Sequence, residues 1–266
     1  MSQALHISHE GDLKILLEHL VRDLIDAGAF VRLHKHFDHA FDEYQEEVSQ
    51  TPMFWNLTES AIRESSLIRL ARIYDQDHRS VSLLTILHTI GRHADFFDDD
   101  SVLKRVSEAY KEEFRPGSHQ IDEAQLQKDI RLVSASEPLV NKLIIWRSNQ
   151  GAHTSAKPLL RPKEHRDPLT RDDVFELVDR AFTIFNRYLT AFEGASYSRM
   201  VIGEDAHPFL FEMLRLGLQK FNEDMDRQWS EWTNSEQGVA PQSATRSESE
   251  PEDGDNTQPE SESRSR

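Results

Sequence analysis

The stretch "IIWRSNQGAH", residues 144–153, sets Arg147 six residues before His153 with Gly151 between them. A guanidinium presents a planar fork that pairs with two phosphate oxygens at once. An imidazole titrates near neutrality, so it can take a proton from a hydroxyl and return one to a leaving oxygen. Together these are the parts for RNA scission by the 2′-hydroxyl. On an unbroken helix six residues turn by about 600° and rise about 9 Å, so the two side chains would diverge by about 120°. Gly151 relieves this if it ends the helix and swings His153 back. Alternatively, two copies of the motif meet across a symmetric dimer, each contributing to one groove. The competing explanation is purely local: an arginine near a helix C-terminus complements the dipole, and a histidine after glycine completes the cap.

These residues need a helix behind them. Proline is tolerated in a first turn, so Glu137-Pro138 marks the start of that helix. Leu139, Val140, Leu143 and Ile144 form its apolar stripe, which Arg147 continues at helical spacing. The rest of the chain shows the same period. Leu13, Leu16, Leu17, Leu20 and Leu24 predict a helix capped by Ser8 and stopped at Gly28, and a second helix over 30–48 ends before Thr51-Pro52. A long helix spans 54–74. The turn "DQDHRS" follows, with Ser80 or Ser82 capping "LLTILHTI", and the acidic 98–101 opens a further helix. Residues 154–170, with Pro158, Pro162 and Pro168, read as an irregular connection. Two helices then cover 174–192 and about 206–232. No stretch alternates as a strand would, so the expected class is all-α with a bundle core.

Charge is distributed unevenly. The 266-residue chain carries a net charge of −16 and no cysteine, which argues against indiscriminate polyanion binding and excludes thiolate metal sites and cysteine nucleophiles. Residues 235–266 are rich in Ser, Glu and Pro with almost no large apolar side chain, and are expected to be a disordered acidic tail. By contrast Lys142, Arg147, Lys157, Arg161, Lys163, Arg166 and Arg171 surround the motif as a basic island. No signal peptide or membrane span is visible, which fits a cytoplasmic protein.

One other stretch could bind a metal. In "HKHFDHAFDE", residues 34–43, His36, His39 and Glu43 share a helix face, and Glu59 or Glu64 would have to complete the set. No Glu-x-x-His pair supports such a bundle site, so a solvated histidine-rich face is the preferred reading and no metal is expected. There is no glycine-rich phosphate loop and no nucleophile elbow.

"RSNQGAH" resembles the Arg-x(4 to 6)-His motif of the HEPN (higher eukaryotes and prokaryotes nucleotide-binding) superfamily. "IRLARIYDQDHRSVSLLTIL", residues 68–87, resembles the segment preceding that motif in the abortive-infection U-type branch. The resemblance spans roughly 30–192. It divides the chain into an N-terminal helix (1–29), a HEPN-like helical bundle (30–192), a C-terminal helix (193–234) and the tail (235–266). It implies homodimerisation and metal-independent endoribonuclease chemistry that leaves a 2′,3′-cyclic phosphate, in phage defence or toxin–antitoxin systems, with an antitoxin or defence partner. Arg147 would hold the scissile phosphate, His153 would be the acid/base, and Ser148 and Asn149 would support them. Active relatives carry Asn, Asp or His directly after the arginine. Ser148 departs from that pattern, so a non-catalytic module binding RNA or protein is the second expectation.

Overall fold

The computed structural model describes residues 4–106, 111, 114–148, 169–200, 203 and 206–236. Among them the chain is helical and no strand occurs. Helix α1 runs from Glu10 to Glu43, followed by the short α2 (Gln45–Ser49) and α3 (Pro52–Ile73). Then come α4 (Leu83–Arg92), a 3₁₀ turn at Ala94–Phe97, and α5 (Asp99–Arg105). Helices α6 (Glu123–Val133), α7 (Pro138–Trp146), α8 (Arg171–Glu193) and α9 (His207–Glu236) complete the order. The chain divides into two compact units, residues 1–217 and 218–266, and the bundle belongs to the first.

Local chemistry sets most helix starts. Asp98 caps α5 through Ser101 N–H at 2.8 Å. Ser82 and Thr85 form a capping box at α4, as do Thr170 and Asp173 at α8. Glu137 accepts the Val140 N–H at 2.9 Å, with Pro138 in the first turn of α7. The structure differs from the sequence reading at α1. His9, not Ser8, is its cap, and the helix continues through Gly28 instead of stopping there. The glycine has a packing cause: a Cβ at Gly28 would lie 3.0 Å from the Phe182 ring. Helix α6, capped by Asp122, has no counterpart in the sequence reading. The irregular 154–170 connection lies outside the described residues except for Leu169 and Thr170, and the acidic tail lies outside them beyond Glu236, where α9 ends.

The core is built from Leu17, Leu24 and Val31 of α1, Leu70 and Ile73 of α3, Ile86 and Ile90 of α4, and Val140 and Leu143 of α7. Phe182, Phe185 and Phe192 of α8 close it, all buried. Aromatic side chains Phe37, Tyr44, Trp55 and Phe211 make a second cluster. Polar bonds fix the seams. Arg69 and Arg72 on α3 reach Asp26 and Asp23 on α1, both at 3.2 Å. Tyr74 O–H donates to the Leu177 carbonyl at 2.8 Å, tying the end of α3 to α8. No described helix is long and apolar enough to cross a membrane.

Candidate functional site

Arg147 stands at the end of α7, where the helix widens into a π-type turn through Arg147 and Ser148. Such turns redirect side chains away from the regular helical face. The arginine therefore does not continue the buried stripe as its spacing suggested; 48% of its side chain is exposed. Its fork lies across the end of α3, and Nη1 donates to Asp75 Oδ2 at 3.0 Å. The two residues share a cleft of about 150 Å³, walled by Ala71, Tyr74, Gln76, Leu143 and Ile144.

Asp75 is positioned from several sides. Its Oδ1 accepts the Asp77 N–H at 3.1 Å and its Oδ2 accepts the Ser80 hydroxyl at 3.2 Å, so the carboxylate is the hub of the turn after α3. Next to it, Gln76 Nε2 donates to the Val133 carbonyl at 3.0 Å and Gln76 Oε1 accepts the Ala135 N–H at 3.0 Å. These bonds lock the turn to the connection between α6 and α7. Tyr74, fully buried with its hydroxyl engaged, has its phenol pushed well above the usual range by desolvation and cannot carry protons near neutrality. The sequence reading missed Asp75. Its signal is the Asp-x-Asp spacing inside "DQDHRS", which in sequence reads as a turn.

Of the other residues expected at the site, Ser148 lines the same cleft, but its hydroxyl donates back to the Ile144 carbonyl at 2.9 Å. Asn149 and His153 lie outside the described residues. So do Lys157, Arg161, Lys163 and Arg166 of the basic island. Its described cations all face carboxylates: Lys142 meets Asp173 at 3.4 Å, Arg147 meets Asp75, and Arg171 pairs with Asp38. Arginine and carboxylate in a half-exposed pair are held loosely, by about 0–1 kcal/mol. The singly charged phosphodiester of a nucleic-acid backbone can therefore compete for Arg147.

On the histidine-rich face His39 and Glu43 are exposed, as the solvated reading expects, while His36 is half-buried and His34, outside that set, turns inward. His34 is buried, with Nε2 3.2 Å from Glu59 Oε1, and its imidazole is held below the usual range chiefly by burial, opposed by Glu59. His36 instead stacks on His207 with ring centroids 4.5 Å apart. His34, Asp38 and Glu59 bring ligand-type atoms within 4.8 Å of one another. Arg171 already neutralises Asp38, which makes this an ion network that joins α1, α3 and α8. A second cavity, about 290 Å³, lies between the start of α6 and α8. Three of its wall residues are engaged behind it by buried Asp129, which accepts from Tyr188 O–H at 2.9 Å and Gln125 Nε2 at 2.9 Å and pairs with Arg187.

The Arg147–Asp75 cleft is thus the described place where an exposed, phosphate-matching cation meets a rigid polar floor. The model of the HEPN family AbiU2 matches residues 11–207, well over half of the chain. That span extends on both sides of the 30–192 stretch on which the resemblance was seen, takes in α1 and ends where α9 begins. No curated protein and no solved structure matches the chain.

Proposed function

Because this chain belongs to the AbiU2 family of HEPN proteins, an abortive-infection group, we propose that it is a metal-independent endoribonuclease acting in phage defence. In this reading Arg147 leaves Asp75 and clamps the scissile phosphate. His153 removes the 2′-hydroxyl proton and returns one to the 5′-leaving oxygen, leaving a 2′,3′-cyclic phosphate. The observation that supports the reading is the placement of Arg147: half-exposed, on a π-type turn, in a cleft and paired with Asp75 through a contact that phosphate can replace. The gathering of Asn149 and His153 around it, within one chain or between two, is part of the proposal.

The test is cleavage of RNA by purified protein in EDTA, with mass spectrometry of the product ends. Cyclic-phosphate ends are expected from the wild type, and a loss of at least ~100-fold in rate from folded His153→Ala and Arg147→Ala variants. Cleavage by His153→Ala at the wild-type rate sinks the assignment. A second reading draws on Ser148, whose hydroxyl turns back on its own helix at the position where active relatives carry Asn, Asp or His. It is a non-catalytic module that binds RNA or a defence partner through the same cleft, and it predicts complex formation with no cyclic-phosphate ends.

A further inference from the structure

Arg180 of α8 is a charged side chain only 14% exposed, and the chemistry proposed above makes no use of it. Its fork joins three helices. Nη1 donates to the Leu132 carbonyl at 3.1 Å and to Glu137 Oε2 at 2.9 Å, and Nη2 donates to Glu176 Oε1 at 2.6 Å. Leu132 lies in the last turn of α6, Glu137 is the cap of α7, and Glu176 stands one turn back on α8 itself. In that same turn of α8, the Leu177 carbonyl accepts the Tyr74 hydroxyl at 2.8 Å. Tyr74 precedes Asp75 and walls the Arg147 cleft, with Leu143 and Ile144 of α7 on the other side. A single turn of α8, from Leu177 to Arg180, thus holds both the end of α3 and the start of α7.

Stability alone does not account for such a group. Taking ions out of water offsets most of their mutual attraction, and apolar side chains of similar size often serve a core as well or better. What a planar fork with several fixed bonds supplies is direction. Direction matters here because Glu137 and Arg147 stand at opposite ends of α7, about 15 Å apart along its axis. A tilt of about 10° at the cap carries Arg147 about 2.5 Å sideways over that length, and a displacement of about 1 Å can slow a reaction by about 100-fold. We propose that Arg180 is a positioning residue for Arg147. By tying the Glu137 cap to the turn of α8 that also holds Tyr74, it fixes the angle of α7 against α3, and with it the place of the guanidinium beside Asp75. The consequence for cleavage rests on the nuclease reading; the placement of Arg147 does not.

Because the chain has no cysteine, thiol-directed spin labels report only the sites chosen for them. Ile68 on α3 and Ile145 on α7 are exposed, at 43% and 45%, so Ile68→Cys/Ile145→Cys measures the gap between the two helices by double electron–electron resonance. One narrow separation is expected with Arg180 in place. Arg180→Met should shift or broaden it by about 2 Å or more with helicity retained, and Arg180→Lys, which keeps the charge but not the fork, should fall between. Glu137→Gln keeps an oxygen for the Val140 N–H and loses the ion pair, so it repeats the measurement should Arg180→Met not fold. At a temperature where every variant is folded, single-turnover cleavage at saturating RNA should drop about tenfold or more in Arg180→Met, a loss that a purely stabilising residue would not produce. An unchanged separation, or a changed one with cleavage at the wild-type rate, overturns the proposal. A wild type that cleaves no RNA sinks the nuclease reading instead, and the label separation then decides the role of Arg180 by itself.

Discussion

Arg147 Nη1 donates to Asp75 Oδ2 at 3.0 Å across the ends of α7 and α3, with the carboxylate the more buried partner at 16% exposure against 48%. Such a pair contributes little stability, ~0–1 kcal/mol. Its larger effect is electrostatic: a negative charge stands where the proposed reading brings a phosphate. Replacing Asp75 by Asn keeps an oxygen for the Asp77 N–H and removes the charge. The expected result is RNA binding strengthened by about fivefold at low salt, equivalent to ~1 kcal/mol of relieved repulsion. The gain should shrink as ionic strength rises, and the melting temperature should barely move. Fluorescence anisotropy across a salt series measures it. Weaker binding by a folded Asp75→Asn protein would show that the carboxylate positions the arginine rather than competing for it.

Gln76 is the brace behind that pair, joining the turn after α3 to Val133 and Ala135 through two 3.0 Å hydrogen bonds. Gln76→Ala strands the part-buried Val133 carbonyl and leaves the exposed Ala135 N–H to water, so a loss of ~1 kcal/mol is expected, read as a lowered urea midpoint. Because the same turn carries Asp75, activity should fall further than stability at temperatures where the protein is fully folded.

How far these arrangements were legible in the sequence depends on what each residue answers to. The helix starts after Ser80 or Ser82, at the acidic 98–101 and at Glu137-Pro138, the long helices α3 and α8, and the all-helical class follow from local pattern, and the structure has them, with Ser82, Asp98 and Glu137 as the caps. Arg147 was legible by type and spacing. Its direction was not, because a π-type turn displaces it from the stripe that a 3.6 period would assign. Asp75 was hidden because a turn aspartate and a site aspartate are identical in sequence; only the arrival of α7 beside α3 separates them. His34 was hidden for a related reason, since its partner Glu59 lies on another helix. Helix α6 was overlooked although Asp122 caps it well, its apolar residues being few and widely spaced.

Gly28 shows the same limit from the other side. Within a helix, glycine costs about 1 kcal/mol relative to alanine, so Gly28→Ala would stabilise α1 if helix propensity governed. The added methyl would meet the Phe182 ring at 3.0 Å, and Phe182 is fully buried in the core. Overpacking costs ~1–3 kcal/mol, so the expected outcome is net destabilisation, seen as a lower melting temperature. A higher one would mean that Phe182 can shift.

His34 makes stability depend on pH. Its imidazole is held below the ordinary histidine range mainly by burial, with the nearby guanidiniums of Arg171 and Arg63 acting in the same direction and Glu59 partly opposing. A depressed folded value means that the folded state resists protonation more than the unfolded chain does. The contribution is therefore intact above the ordinary range near 6.5 and is lost as pH falls from there through the folded value. His88, also depressed by burial, adds to the same trend. His34→Gln keeps a donor for Glu59 and removes one titrating group. Its unfolding free energy should therefore change less between pH 7 and pH 5 than that of the wild type. Denaturant titrations at the two pH values, for both proteins, give the comparison. An equal drop in the two would assign the acid sensitivity to His88 or to the carboxylates instead.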